Sequence, residues 1–511
     1  AGRPGAWSTG VNMVDINRDG LLDIYVCYSG WQAEDMRRNE LYINRGNLKF
    51  EEQAAAYGLD DPSNSTHAAF ADFDKDGDLD MYLLNHNTAV IYEVEYNDVR
   101  HTRHPQAGDK FYENQNGKFV DISEQAGIKG SPLGFGLGIA IADVNGDGWQ
   151  DIYVSNDYIE PDYLYINQQD GTFSDQMTDY FQHISYFSMG SDIADINNDA
   201  QPDIFTLDML PEDNERQKLL YGPDNYEQYA LMVMNGFYHQ NMRNMLHVNN
   251  GNGRDGHPTF SEVGQLSGIS NTDWSWSSLF ADFDNDGRKD LFITNGYYRD
   301  YTNRDFLKYK GDYFFQKAIN QEKADTFQLV LSMTSTPVRN YMYHNQGDLN
   351  FDDKSEAWGF GDKTFSNGAA YSDLDNDGDL DLVISNLNER SFVYQNLSRE
   401  QGKAGHYLDV ALKAKKLSAL GAKVRVYAQG DVQFFEYMPT RGFQSSVSHR
   451  IHVGLGDSKK VDSVVVDWPS GTRQVARKVK ADRLLVIEEK GEDAPLPDAT
   501  MAAGCHFSPV P

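Results

Sequence analysis

Ala68-Ala69-Phe70-Ala71 leads into Asp72-Phe73-Asp74-Lys75-Asp76-Gly77-Asp78-Leu79-Asp80, which leads into Met81-Tyr82-Leu83-Leu84. A small apolar stretch, an acidic turn and a β-rich run thus follow one another without a break. The turn reads Asp, any residue, Asp or Asn, any residue, Asp, Gly, two residues, Asp. It occurs six times, always with its polar residues at offsets 1, 3, 5 and 9. Loop one is Asp15, Asn17, Asp19 and Asp23; loop two is Asp72, Asp74, Asp76 and Asp80; loop three is Asp143, Asn145, Asp147 and Asp151. Loop four is Asp195, Asn197, Asp199 and Asp203; loop five is Asp282, Asp284, Asp286 and Asp290; loop six is Asp373, Asp375, Asp377 and Asp381.

Working outward, each loop is followed by a strand pattern such as Asp151-Ile152-Tyr153-Val154. An aromatic strand ending in Asn comes next, as in Leu164-Tyr165-Ile166-Asn167, and then a turn and an outer strand. Four strands per unit with turn signals between them read as blades in series. Successive loops start between 52 and 91 residues apart, an irregular period that points to blades carrying insertions. Residues 208–244 and 299–338 read as helical excursions from the fourth and fifth units, and both are expected at the same end because each follows a second strand. The expected fold is an all-β, integrin-α-like β-propeller with six recognisable calcium-loop blades, seven in the closed ring, helical insertions and a C-terminal β module. Residues 1–404 form the propeller, 405–490 the β module and 491–511 a tail or linker.

Carboxylates at offsets 1, 3 and 5 around a turn converge on one hard cation. Gly at offset 6 allows positive φ, the carbonyl at offset 7 adds an oxygen, and Asp at offset 9 closes the shell. An all-oxygen set suits calcium, with one ion per loop and up to six in all. The pattern is not an EF-hand, since offset 12 holds Val26, Leu83, Val154, Thr206, Ile293 or Ile384 rather than Glu. Ordinary solvated Asp-Gly turns are the competing reading of a single copy; six copies with identical offsets argue against it. Loops two, five and six carry four Asp each and are expected to hold calcium best. Loop four has Ala200 in place of Gly, at a cost on the order of 1 kcal/mol, and is expected to be weakest.

Composition bounds the function. The chain has 511 residues and a net charge of −32, which repels phosphate and argues against nucleic-acid or anionic-membrane binding. Aromatic residues make up 13%, too many for an acidic disordered chain. No apolar run reaches the roughly 20 residues of a membrane span. The chain starts at Ala1 without a signal peptide, as a processed or incompletely represented product would. Cys27 and Cys505 lie too far apart in sequence for a disulfide framework; spacing leaves open whether they pair, and two free thiols is the simpler reading. His101 with His104, and His449 with His452, are read as surface or packing residues. Trp274, Trp276, Tyr297, Tyr298 and Tyr301 are either packing between units or a platform for a sugar or protein partner. Arg441 is read as stabilising a turn.

The acidic loops, over nearly all of residues 7–400, resemble the FG-GAP/VCBS repeat family, also found in integrin α-subunits. Residues 421–427, Pro439-Thr440-Arg441-Gly442-Phe443-Gln444-Ser445-Ser446, Gly454-Leu455-Gly456 and Asp467-Trp468-Pro469-Ser470-Gly471 resemble the ASPIC/UnbV module. Together they resemble the cartilage-acidic-protein-like family, whose large bacterial relatives are secreted or lipid-anchored surface proteins of Bacteroidota. The resemblance implies an extracellular or cell-surface binding or adhesion protein rather than an enzyme. Its partner would be a protein or glycan, or an outer-membrane transporter complex in which it is a subunit. The alternative is a carbohydrate-active hydrolase or lyase on the same scaffold; no nucleophile motif, phosphate loop or zinc spacing supports it.

Overall fold

The computed structural model describes residues 3–490, apart from 90, 92–95, 223–224, 254–255 and 416. The tail at 491–511, with Cys505, lies outside the described residues. Six acidic loops mark six small antiparallel meanders. Unit one comprises Trp7–Val14, Asp23–Ser29, Glu40–Asn44 and Phe50–Glu52, paired in chain order. Units two to five repeat the order, beginning at Ser65–Ala71, Gly136–Ala142, Ser191–Ala194 and Ser275–Ala281. Unit six has three strands, Ser366–Ser372, Asp381–Asn386 and Phe392–Tyr394.

The expected closed β-propeller, with six recognisable blades and seven in the ring, is corrected here. The sheets of the six units are separate three- or four-stranded meanders, joined by two two-stranded pairs, Ile184–Ser185 with Gln240–Asn241 and Val338–Arg339 with Lys363–Thr364; among the described residues none closes on itself or curls into a barrel. The fold is a series of small sheets, with helices added. First strands of consecutive sheets pack side by side through apolar side chains, so the cores lie between sheets. One core joins Tyr25 and Phe70 of units one and two to Ile139 of unit three; another joins Phe205 of unit four to Phe280 of unit five. The first strands are rich in small residues because their backbones come close. A Cβ on Gly190, just before unit four, would lie 2.0 Å from the Trp276 carbonyl oxygen.

The first strands of units one and six are linked by a loop of the C-terminal module rather than by a shared ladder. The Val11 N–H donates to Gln444 O at 3.3 Å, and the Ser448 N–H donates to Tyr371 O at 3.1 Å. His449 Nε2 donates to Met13 O at 3.0 Å. Arg441 on this loop reaches further: its guanidinium binds both oxygens of buried Asp192 in unit four, at 2.7 and 2.5 Å, and the Tyr371 hydroxyl at 2.8 Å. The expected turn-stabilising arginine is a cross-module anchor, and breaking such a buried pair costs about 3–5 kcal/mol. The module itself has two sheets. His406–Lys413 lies between Ile451–Gly456 and Arg483–Glu488, and Lys423–Ala428 and Lys460–Asp467 are flanked by Asp431–Glu436 and Arg473–Lys480.

The segments expected to be helical contain Asn214–Leu220 and Tyr226–Met234, and Arg304–Ile319 and Thr326–Leu331. Side chains at Asp213, Asn225, Asn303 and Asp325 cap these four helices. Both insertions follow second strands and meet each other: Arg216 pairs with Asp273 and, at 3.5 Å, with Asp300, while Lys218, Tyr226 and Arg304 line one cleft of about 1070 Å³. A third insertion, at 86–109 in unit two, joins them, with Arg100 donating to Gly236 O at 2.8 Å. Its charged, turn-rich composition gave no periodic signal. In an antiparallel meander the first and second connections emerge at opposite ends, so the acidic loops occupy one end and the insertions the other.

Candidate metal centres on the acidic-loop face

Each loop is shaped by hydrogen bonds from its own backbone. In all six, the Asp at offset 9 accepts two N–H groups. One comes from offset 2, as Ile16 to Asp23 at 3.1 Å or Leu374 to Asp381 at 2.8 Å. The other comes from an Asn in or just after the third strand, as Asn44 to Asp23 at 2.7 Å or Asn396 to Asp381 at 2.8 Å. In five loops the Asp at offset 1 accepts the N–H groups of offsets 5 and 6, as Asp282 does from Asp286 at 3.1 Å and Gly287 at 2.7 Å. Offset 6 has positive φ throughout, from 86° at Gly20 to 104° at Gly77. Ala200 is held there too, at 67°, a conformation that costs an L-residue about 1–2 kcal/mol.

Two features escaped the sequence reading. The Asn in or just after a third strand also donates its side-chain amide to the offset-2 carbonyl of the preceding loop: Asn167 to Phe73, Asn249 to Val144, Asn345 to Ile196 and Asn396 to Phe283. The residue at offset 4 reaches forward to the offset-6 residue of the next loop: Arg18 to Gly77 O, Asn198 to Gly287 O and Asn285 to Gly378 O. The recurring Asn was visible in sequence; its partner, one unit away, was not. These bonds hold the loops in a row on one face.

The loops differ in what they bring together. Ligand oxygens of Asp72, Asp74 and Asp76 in loop two lie within 4.8 Å of one another, as do those of Asp282, Asp284 and Asp290 in loop five and of Asp373, Asp375 and Asp381 in loop six. In loop two, both carboxylate oxygens of buried Asp72 lack a hydrogen-bond partner. Burial and the charges of Asp74 and Asp76 push Asp72 up to about 7. Burial, with neighbouring carboxylates, raises Asp80 to about 8 and Asp282 to about 7. Crowded, buried, under-bonded carboxylates are what a hard divalent cation would satisfy, and the all-oxygen set fits calcium. In loop five, His344 Nε2 adds itself at 3.2 Å from Asp284 and 3.4 Å from Asp286, a neighbour not foreseen.

Loops one, three and four, with Asn at offset 3, are internally balanced instead. The amide of Asn17, Asn145 or Asn197 donates to the carboxylate of Asp19, Asp147 or Asp199, at 3.0–3.1 Å. Asp15, Asp23, Asp143, Asp151, Asp195 and Asp203 hold the backbone positions described above, but these loops form no such carboxylate cluster among the described residues.

The C-terminal module stands on this face. Gly405 N–H donates to Asp284 O at 3.1 Å, Gly456 N–H to Asn285 O at 2.8 Å, and His452 bridges Asp409 and Asn285 at 2.8 and 2.6 Å. Arg450 donates to Asn376 at 2.9 Å. Of the histidines read as packing, His452 is thus buried in the contact between module and loop. At the other end, Trp274 stacks on Tyr297 at 4.2 Å and Trp276 packs on Phe443 at 5.1 Å, so this aromatic group serves packing. Cys27 is buried and free.

Comparison with known proteins accounts for this combination. The FG-GAP-like repeat matches residues 15–83, 143–206 and 232–293, and the family described as ASPIC and UnbV matches 413–494. The chain is similar to cartilage acidic protein 1 of Xenopus tropicalis, with 25% identity over 91% of this chain and 71% of the relative. It is also similar to the Homo sapiens protein of that name, with 24% identity over 98% of this chain and 66% of the relative. A solved Agrocybe aegerita lectin that recognises non-reducing terminal N-acetylglucosamine aligns over 76% of this chain and 81% of its own, at 14% identity and a TM-score of 0.35. The chain therefore combines FG-GAP-like repeats with a C-terminal ASPIC and UnbV domain and is a homologue of cartilage acidic protein 1.

Proposed function

We propose that this is a calcium-binding protein of the cell exterior, of adhesion type, in which the acidic loops hold the ion and the insertion end meets a partner. The observation that carries the reading is the convergence of buried carboxylates in loops two, five and six. Kinship with cartilage acidic protein 1 supports the location, as does the abundance of calcium outside cells. Among the described residues no helix is long and apolar enough to cross a membrane. The division at residues 404 and 405 separates repeats from module in sequence, and we take the two to fold as one body because the 439–449 loop packs among first strands. The partner is a protein or glycan at the cell surface, and a place in an outer-membrane transporter complex is the bacterial form of the same reading. Tyr226, Leu231 and Met234 are exposed on one insertion helix and are the surface to test.

Elemental analysis of protein dialysed against calcium and then against buffer tests the first half. Retained calcium, reduced by Asp284→Asn and again by Asp375→Asn, is expected; retention unaffected by both would overturn it. Co-purification from native membranes tests the second half. A partner lost on joint Tyr226→Ser and Met234→Ser substitution, with unchanged melting, is expected. A partner retained by that variant would move the contact elsewhere.

A further inference from the structure

Loop three differs from the other five in the company it keeps. Lys423 and Glu436 face each other across adjacent strands of the C-terminal module, and both point into this loop. Lys423 Nζ donates to Asp143 Oδ2, with the Asp143 side chain fully shielded from solvent. Both oxygens of Glu436 accept the Asp143 backbone N–H at 3.2 Å, and Gln150 Nε2 donates to Glu436 at 2.6 Å. Asp143 is the offset-1 residue, and its oxygens also accept the Asp147 and Gly148 N–H groups at 3.0 and 2.6 Å. The second oxygen of Asp147 accepts amide protons from Asn145 at 3.0 Å and Gln169 at 3.2 Å. A second ammonium, Lys75 of loop two, sits 4.0 Å above the Trp149 ring. A divalent ion entering here would have to expel a half-buried ammonium from a fully buried carboxylate and turn two amide donors away. Loops two, five and six present carboxylate against carboxylate instead.

We infer that loop three does not bind calcium: Lys423 is its cation, and the loop fastens the C-terminal module to the acidic face by an ion pair on a buried carboxylate. The inference rests on the reading that the four-Asp loops hold calcium. The chemistry is a competition between one ammonium built into the chain and a free divalent ion for the same carboxylate. An ammonium supplied by the chain gives up side-chain freedom but not the translational freedom of a free ion, and needs no calcium outside.

Calcium counting by equilibrium dialysis on the full chain with two variants decides it, and limited proteolysis of two more tests the fastening. Asp143→Asn should leave the number of bound ions at the wild-type value, while Asp284→Asn lowers it by one. A loss of one ion on Asp143→Asn would overturn the inference. If neither substitution changes the number, it is the calcium reading of the acidic loops that fails. Lys423→Met should open the 397–405 connection to limited proteolysis, and Lys423→Arg should keep it closed. Equal protection in Lys423→Met and wild type would overturn the fastening role. Should Lys423→Met fail to fold, the Asp143→Asn count decides alone.

Discussion

Loop five and loop three have the same offsets, the same backbone cradle and the same position in their units, and they answer the same electrostatic problem in opposite ways. Loop five crowds Asp282, Asp284 and Asp290 together, two of them buried. Loop three replaces one carboxylate by Asn145 and receives Lys423 from the C-terminal module. On the function proposed above, loop five takes its cation from outside, whereas loop three has an ammonium of the chain itself on its first carboxylate. The repeat therefore specifies a shape, and the residues filling it decide whether the shape is a metal site or a joint.

The largest effect should come from removing calcium. Each occupied site stabilises by about 2.7 kcal/mol when free calcium is a hundred times its dissociation constant. Several sites together rival the 5–15 kcal/mol net stability of a domain. A chelator should lower the melting temperature strongly, and magnesium should rescue poorly because it prefers a small octahedral shell. Superimposable calorimetric traces with calcium and with chelator would break the comparison at once. The metal-free protein should also show a characteristic pH slope. Asp72, Asp80 and Asp282 hold protons more tightly when folded than their ordinary value of 3.8. Their contribution is complete below about pH 4 and is lost as pH rises through 7 and 8. Melting in chelator should therefore rise on going from pH 8 to pH 6, and a fall would contradict the crowding described for loops two and five.

Asp284→Ala sharpens the contrast by reversing sign. In saturating calcium it should destabilise by up to about 2.7 kcal/mol, the contribution of one site. In chelator it should be neutral or stabilising, because it removes a carboxylate that repels Asp282 and Asp286. Denaturant titrations under the two conditions give both values.

The shared scaffold predicts an effect that does not distinguish the loops. Asn345→Ala and Asn167→Ala each leave buried carbonyl groups of two units without their side-chain amide donor, at about 2 kcal/mol apiece. Equal losses with and without calcium are expected for both. Losses confined to the calcium state would make the Asn part of the ion's shell rather than part of the cradle. Smallest is Ala200→Gly in loop four, which should stabilise by about 1 kcal/mol through relief of positive φ. A destabilised variant would show that Ala200 is not strained.

Much of the site could be read from the sequence because it is local. Offsets 1, 5 and 6 are joined by hydrogen bonds spanning at most five residues, so the spacing of Asp143, Asp147 and Gly148 already implied a turn with inward carboxylates. The positive φ at Ala200 followed from its place in the pattern. The closed propeller did not survive, because closure depends on which surfaces meet at the two ends of a series, and no repeat states that about itself. Val11 and Tyr371, in the first strands of units one and six, meet residues 444 and 448 of another module.

By itself, the sequence determined the repeating unit, its acidic turn, the helical insertions and the end at which they emerge, since each follows from contacts among neighbours in the chain. Only the tertiary structure decided that the sheets stay separate and that Arg441 ties the C-terminal module to Asp192 across 249 residues. It alone placed Lys423 on Asp143, 280 residues away. The physical reason is the range of the forces involved. Turn geometry and strand alternation act over a few residues, whereas a buried charge takes whichever opposite charge the packing of distant surfaces leaves beside it.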